Sequence, residues 1–497
     1  MFVTGLFSTV TDKIFTKGDN MENKLEKKYG LFTAMGMVIG IVIGSGVFFK
    51  AQNVLNSTNG DMPLGILAWI IGGVVMIICG INFATLATKY EKVNGLVDYA
   101  EATVGSKYAY MLGWFMETVY VPGMTSALAW VSARYTLAIF VPSGILDIND
   151  TIASDICLAL AGFYLIASYC INALAPKLAG KLQVSMTVIK LIPLILMAFA
   201  GIIVGLKNGN VSAAFATSGA SAAVDGGSTQ ALLASVVAVA FAYEGWILAT
   251  SINSELKNSK RNLPLALTLG SIVIIVIYII YYIGISGAVP IEVLREQGAN
   301  AAFVSVFGNV GGTLVGVCIA ISCLGTLNGL MLSQTRGMYS VAANGRGPKP
   351  KMFAEVSPST NMPSNSSIIG LLICAAWLLY FFIANLYSKN FLGVFSFDSS
   401  ELPIITIYAF YIPMFILYIK KNHKEGFLRH VLLPILAIIS CAFMVFAALY
   451  SHGYSPYMTA KANGTFSCPV LFYLIVFAVF MVIGTFFMKK KDEGANN

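Results

Sequence analysis

Apolar runs long enough to cross about 30 Å of hydrocarbon recur along almost the whole chain, and nothing else in the sequence constrains its fold as strongly. A bilayer interior offers no water to unpaired backbone N–H and C=O groups, so runs of this length are expected to be α-helices that satisfy their own backbone. Twelve spans are expected, at about residues 31–58, 64–88, 107–140, 154–174, 182–206, 230–252, 265–287, 310–343, 366–386, 400–420, 429–451 and 468–488. Composition agrees, with 57% hydrophobic and 11% charged residues and a mean hydropathy of +0.78, far from the balance of a soluble domain. The expected fold class is all-α and integral to the membrane, with the lipid bilayer as its surroundings and no separate soluble domain.

Lysine and arginine set the orientation. With the N-terminus inside, seven cytoplasmic segments hold 23 of the 31, and the outer loops hold four, Lys207, Arg295, Lys389 and Lys461. This asymmetry predicts a multi-pass protein of the cell membrane with both termini in the cytoplasm. The net charge of +8 is spread over those segments rather than gathered on one basic face, so no nucleic-acid partner is expected. Residues 1–30 have no apolar core followed by a small-residue cleavage site and read as a cytoplasmic tail. Met21 opens "MENKLEKKYG", which leads straight into the first span, and the choice of start between Met1 and Met21 stays open. The eight cysteines are scattered singly, and His423, His430 and His452 lie in loops or at span ends. No metal site and no cofactor is expected from that pattern.

Two spans carry helix breakers near their middles. In "GIVIGSGVFFK", residues 40–50, the glycines around Ser45 let the chain unwind between Ile43 and Gly46. Irregular backbone at membrane depth persists only where it is buried in protein or lines a cavity. The freed amides at the start of the second half-helix suit an anion, and the freed carbonyls at the end of the first suit a cation or an ammonium. One unwound helix thus offers a partner to each end of an amino-acid zwitterion. A plainer reading competes, because Gly36, Gly40 and Gly44 recur every four residues, as in close helix packing.

The sixth span decides between them. "VAVAFAYEGWILATSIN", residues 236–253, places Glu244 and Gly245 near mid-span between Tyr243 and Trp246. A carboxylate at that depth is costly and marks a functional position. Ser45 and Glu244 lie 199 positions apart, and the long third and eighth spans start 203 positions apart. Interrupted helices at corresponding places point to an inverted five-plus-five repeat with the substrate site between its halves. The halves are expected at 31–206 and 230–420, with helices 11 and 12 at 429–488 outside the repeat and 489–497 as a cytoplasmic tail. The two halves share negligible sequence identity, so spacing and helix character carry this expectation.

These segments resemble a known family. "IGIVIGSGVFFK" resembles the first-helix signature of the amino acid-polyamine-organocation superfamily, and "FAYEGW" followed by "SELKNSKRNLPLAL" is similar to the sixth helix and following loop of its L-type amino acid transporter branch. "GLVDYAEATVGSKYAYMLGW" (95–114) is similar to the family's loop into the third helix, and "SQTRGMYSVAANGRGPKPKMFAEV" (333–356) to its eighth-helix exit. The resemblance runs from residue 26 onward. It implies a LeuT-type fold with helices 1 and 6 broken, carrying amino acids by alternating access. It also implies that the amides of Ser45, Gly46 and Val47 hold the substrate carboxylate, while carbonyls of Val42, Ile43 and Phe241 hold its ammonium. Gly44 and Ala242 belong to the same stretches, Phe241 gates the site from above, and Trp246 lines the side-chain pocket.

Lys190, in "VSMTVIKLIPLILM", is by the same resemblance a fixed replacement for the sodium ion of sodium-coupled relatives, with Gly40 and Ser322 as its partners on the first and eighth helices. Its plainer reading is snorkelling, since eight residues at about 1.5 Å each put it roughly 12 Å from the cytoplasmic end. Many relatives carry Gly or Asp at the position of Glu244. The longer Glu could fill the pocket, bind a basic side chain, take up a proton or pair with a neighbour. Metazoan members bond to a glycoprotein through a cysteine after the third helix. Here that loop, "VPSGILDINDTIASD", has none, so no disulfide-linked heavy subunit is expected.

Other polar residues at membrane depth have blander expectations. Glu117 satisfies a helix pair, Glu401 caps its helix after Ser399 and Ser400, and Asn328 is a pocket candidate. Arg336 belongs with Arg346, Lys349 and Lys351 in the cytoplasmic charge set. A channel is disfavoured because no ring-forming carbonyl motif or repeated pore segment appears. An enzyme is disfavoured because the interior has no histidine and no paired aspartates. The expectation is therefore a carrier, with sodium-independent amino acid exchange as the leading mode and a proton-coupled amino acid or polyamine permease as the runner-up. Which amino acids move is open at this level.

Overall fold

A computed structural model describes residues 30–44, 46–90, 95–140, 151–247, 250, 256–384, 395–421 and 426–488. Ser45 and both tails lie outside the described residues. The regular elements among the described residues are helices. The first span is split into α1 (Leu31–Val42) and α2 (Gly46–Ser57), and α3 (Met62–Lys89) follows. A short α4 (Leu96–Thr103) leads into the third span, where α5 (Ser106–Phe115) and α6 (Val121–Ala138) are joined by a π turn over Met116–Tyr120. The fourth is α7 (Thr151–Leu174), and the fifth is divided into α8 (Pro176–Ile189) and α9 (Leu191–Asn208). After a short α10 (Asn210–Ala216) come α11 (Gly227–Tyr243), α12 (Ser259–Ala288) and the short α13 (Ile291–Gln297). The long α14 (Ala299–Ala342), a short α15 (Pro350–Phe353), α16 (Ser364–Phe382) and α17 (Leu402–Lys421) follow. The chain closes with α18 (Leu433–Leu449), α19 (Ser455–Ala462) and α20 (Pro469–Phe486).

The expected twelve spans correspond to nine helices long and apolar enough to cross a membrane among the described residues, or ten when the bent pair α1 and α2 counts as one. The shortfall has local causes. The sixth span stops as a helix at Tyr243, and the third is less apolar, with Glu117 and Arg134 within it. The eighth starts earlier than expected, at Ala299, and kinks at Gly308 with φ 69°.

Proline sets several of the interruptions, because its ring removes an N–H and clashes with the carbonyl four residues back. Pro193 faces Ile189 in this way, and the fifth span breaks at Lys190. Pro122 faces Thr118 inside the π turn, and the released Thr118 carbonyl takes the Trp377 indole N–H at 2.9 Å.

The tightest helix pairing is between α9 and α12. A Cβ on Gly201 or Gly284 would collide with carbonyl oxygen of the opposite helix, and one on Gly205 would sit 2.6 Å from Gly287 O. Small residues on both faces let the backbones touch, which is how helices associate where burial from water drives nothing. Gly284→Val should therefore overpack the pair by about 1–3 kcal/mol, read as a lowered melting temperature of the detergent-solubilised protein. Large apolar side chains such as Phe163, Phe199, Leu206 and Leu372 point outward instead, as lipid-facing positions require. At the centre, Trp69 of α3 packs edge-on against Tyr243 and Tyr278, with ring centroids 5.8 and 5.5 Å away.

Candidate functional site

The two helix breaks meet. At the first, Ile43 leaves the helix with φ −66° and ψ 103°, and α2 resumes at Gly46, bent by 56° from α1. At the second, Glu244 is extended with ψ 155° and Gly245 has φ +103°, a conformation that residues with a Cβ rarely adopt. A Cβ on Gly46 would lie 2.9 Å from Ala242 Cα and 3.3 Å from Phe241 O, and one on Gly245 would lie 3.5 Å from Ile41 O. Each break is thus laid against the backbone of the other helix. The glycine positions also separate the two readings of the first span. Gly36 faces open space, Gly44 meets the Thr326 side chain at 3.3 Å, and Gly46 meets backbone of the other helix at 2.9 Å. Close approach is needed at Gly46 in the break and not at Gly36.

The crossing brings together unpaired donors and acceptors. Gly46 and Val47 open α2, so their amides have no carbonyl within the helix. Val42 ends α1 and Ala242 is the last residue but one of α11, and the hydroxyl of Tyr278 lies 3.3 Å from Val42 O and 3.0 Å from Ala242 O. One phenol has one proton, so it can serve either carbonyl but not both. Phe241 O closes the turn by accepting from Glu244 N at 3.3 Å. Tyr278 was not anticipated. It stands in "IYIIYYIGI" beside Tyr281 and Tyr282, and nothing in that run distinguishes the tyrosine that faces the breaks.

Glu244 is buried and accepts from the Tyr120 hydroxyl at 2.6 Å. Tyr120 ends the π turn of the third span, whose extra residue re-aims the side chains that follow it. Of the four readings open for Glu244, pairing with a neighbour is the one seen here. Pro122 two residues on was the available signal for the bulge. Trp246 is fully buried, packing at 5.6 Å against Phe83 and 6.0 Å against Tyr411.

Lys190 is 6% exposed, and its ammonium donates to Gly40 O at 2.5 Å. It reaches inward to the first helix instead of snorkelling. Of its two expected partners Gly40 is engaged, while the buried Ser322 hydroxyl has no hydrogen-bond partner among the described residues. Asn328 is tied to helix packing: its side-chain oxygen accepts from Asn172 at 2.8 Å and its amide donates to Ala179 O at 3.3 Å.

Glu117 does serve a helix pair, through backbone and carboxylate alike. Its carbonyl accepts from Gln334 at 3.0 Å, and its carboxylate packs against Gly337. Glu401 departs from expectation. Asp398 caps that helix, accepting the amides of Ser400 and Glu401 at 2.7 and 3.1 Å. The Glu401 carboxylate turns instead to Lys50 of α2, 2.5 Å away, and both are buried. The Lys50 ammonium also stands 5.1 Å from the ring centre of Phe241.

Comparison with known proteins fits this geometry. The family model described as amino acid permease matches residues 29–480. The serine/threonine exchanger SteT of Bacillus subtilis (strain 168) is 30% identical over 440 residues, covering 86% of this chain and 92% of that protein. The b(0,+)-type amino acid transporter 1 of Oryctolagus cuniculus is 27% identical over 354 residues, 71% of this chain and 70% of its own. The cystine/glutamate transporter of Homo sapiens is 22% identical over 440 residues, 87% and 82% of the two chains. Two broken helices whose breaks cross, together with a match over nearly the full length, place this chain in the amino acid permease family, in the L-type branch of the amino acid-polyamine-organocation superfamily: it is a multi-pass membrane transporter and not an enzyme.

Proposed function

We propose that the protein exchanges small neutral amino acids across the cell membrane, independently of sodium, with both termini in the cytoplasm. One observation carries the reading: the half-helix ends at Val42, Ala242 and Gly46 converge on one point, where a substrate ammonium would take the carbonyl that Tyr278 leaves and the carboxylate would take the amides of Ser45, Gly46 and Val47. The halves 31–206 and 230–420 would move against one another around that point. Lys190 supplies the charge that a bound sodium ion would otherwise supply. The absence of cysteine in residues 141–155 supports a carrier that works without a disulfide-linked subunit.

We read a short substrate side chain from the Tyr120–Glu244 pair, which occupies the sixth-helix break next to the buried Trp246. The relative named a serine/threonine exchanger agrees with that size. Counterflow in proteoliposomes tests the proposal. Serine or threonine inside should stimulate uptake of either from outside, while leucine and arginine should not. Glu244→Gly should open the pocket and raise leucine uptake relative to serine by roughly tenfold or more, the effect of a few methylene-sized contacts. Tyr120→Phe should shift selectivity the same way by less, because only the hydroxyl is lost. If arginine is the preferred substrate and Glu244→Gly abolishes its uptake, Glu244 binds a basic side chain and the small-neutral assignment falls.

A further inference from the structure

Cys79 and Cys441 stand 362 positions apart in the chain, yet their sulfurs are 3.7 Å from each other, within reach of a weak S–H hydrogen bond in either direction. Both side chains are buried, and both thiols are free. Cys79 lies on α3, ten residues before its last residue, Lys89, and Cys441 lies on α18, eight residues after its first, Leu433, which puts the sulfurs roughly 12–15 Å along the helix axes from those ends. The pair is at membrane depth. Asn82, one turn on from Cys79, donates to Leu433 O at 3.0 Å and so holds the same two helices together. The neighbouring face of α3 meets the sixth-helix break: a Cβ on Gly80 would lie 3.9 Å from the Trp246 ring, and Phe83 packs against that ring with centroids 5.6 Å apart.

We propose that Cys79 and Cys441 are a disulfide-forming site inside the membrane, and that the bridge arrests exchange by fastening α3 to α18. A bond of about 2.05 Å asks the sulfurs to close from 3.7 Å by about 1.65 Å, within reach of thiol rotation and a small helix shift. Depth selects the oxidant. A charged, water-soluble disulfide would have to give up its hydration to reach the pair, whereas an apolar one dissolves in the hydrocarbon around it. One cysteine thiolate attacks a sulfur of that reagent and expels its other half as a thiolate, which takes up the proton the cysteine lost. The second cysteine thiolate attacks the mixed disulfide, expels the remaining half in the same way and leaves Cys79 Sγ bonded to Cys441 Sγ. The pair is oxidised by two electrons, and the reagent is reduced to two thiols. Because the thiolate is the attacking form, burial makes the bridge slow to form and slow to reduce.

The arrest follows from where the two helices belong. Helix α3 lies within the half 31–206, and α18 lies outside both halves. This part rests on the exchange cycle proposed above, in which the halves move against one another. A hydrogen bond such as that from Asn82 to Leu433 O can be broken and remade as helices slide. A disulfide cannot, since it holds its two Cα atoms within about 6.8 Å of each other. Any step of the cycle that carries α3 away from α18 is then forbidden, next to the Trp246 side of the substrate site.

The test treats the protein in proteoliposomes with dipyridyl disulfide, an apolar disulfide, and follows linked peptides by mass spectrometry together with serine counterflow. Wild type should yield a peptide pair joined through Cys79 and Cys441 and lose exchange at least about tenfold. A membrane-permeant phosphine should cut the pair and restore exchange. The double variant Cys79→Ala/Cys441→Ala should exchange like untreated wild type and keep its exchange under the same treatment. Untreated wild type separates the two readings: counterflow there checks exchange, while the linked peptides check the bridge whatever the substrate is. Failure of wild type to form the Cys79–Cys441 link overturns the site, and this readout needs no variant to fold. A complete link with undiminished exchange overturns the fastening of α3 to α18. Equal, reversible loss of exchange in the double variant assigns the inhibition to another cysteine and overturns the arrest.

Discussion

Gly46→Ala should reduce amino acid exchange by at least about a hundredfold while the protein still inserts and folds. A single methyl group would stand 2.9 Å from Ala242 Cα, 3.1 Å from Phe241 Cδ1 and 3.3 Å from Phe241 O. Two of those atoms are backbone, so the strain cannot be relieved by turning a side chain. It must push α2 away from α11. Overpacking of this kind costs about 1–3 kcal/mol, which a membrane bundle of this size survives. The substrate site does not, because the Gly46 and Val47 amides move relative to the carbonyls of Val42 and Ala242, and misplacement by about 1 Å can cost a hundredfold. Gly36→Ala is the matched control: its methyl group would meet nothing within 4 Å, and exchange should be unchanged. Proteoliposome counterflow measures the rate, and thermal stabilisation by serine measures binding. Normal binding and exchange by Gly46→Ala would remove the crossing from the substrate site.

Lys190→Ala should fold and bind serine but turn over at least tenfold more slowly. Removing the ammonium relieves the cost of keeping a charge out of water, and this offsets the loss of its hydrogen bond to Gly40 O, which would be left unpaired at about 1–3 kcal/mol. The fold is therefore tolerant. The cycle is not, because a tethered cation between the fifth and first helices is a strut that transport must remake on each turn. A tethered charge also carries no ion down a gradient, so replacing external sodium by choline should leave wild-type exchange unchanged. Sodium-stimulated uptake by the unmodified protein would refute the fixed-cation role. Wild-type turnover in Lys190→Ala would make the Gly40 contact structural.

Residues that violate the rules of a membrane helix were legible before any coordinates. Glycines about Ser45, the Glu244–Gly245 pair and Lys190 each cost energy in lipid, and each lies at a break or makes a buried polar contact. Residues that keep those rules were not. Tyr278 and Tyr120 are ordinary aromatic residues of apolar spans, and only the register of α12 and the π turn direct their hydroxyls to Ala242 O and Glu244. Lys50 broke the rule in plain view, in "GVFFKAQ", but its partner lies 351 positions away. Ser399 and Ser400 made capping the simplest reading of Glu401, yet Asp398 took that task. Asn328 bonds Asn172 and Ala179, partners that its place in the sequence does not disclose.

The sequence by itself determined the medium, the helical class and the places where helices must fail, because hydrocarbon penalises every unpaired backbone group and every charge wherever it falls along the chain. Tertiary structure alone decided which of those failures meet. That the first break lies against Ala242, that Lys190 takes Gly40 O rather than the Ser322 hydroxyl, and that Lys50 finds Glu401 are consequences of helix rotation and crossing. A rotation of one residue, about 100°, would send each of these side chains to another face. Such rotations are settled by close contacts between helices, as where Gly201 and Gly284 meet the opposite backbone, and no single span encodes both sides of a contact.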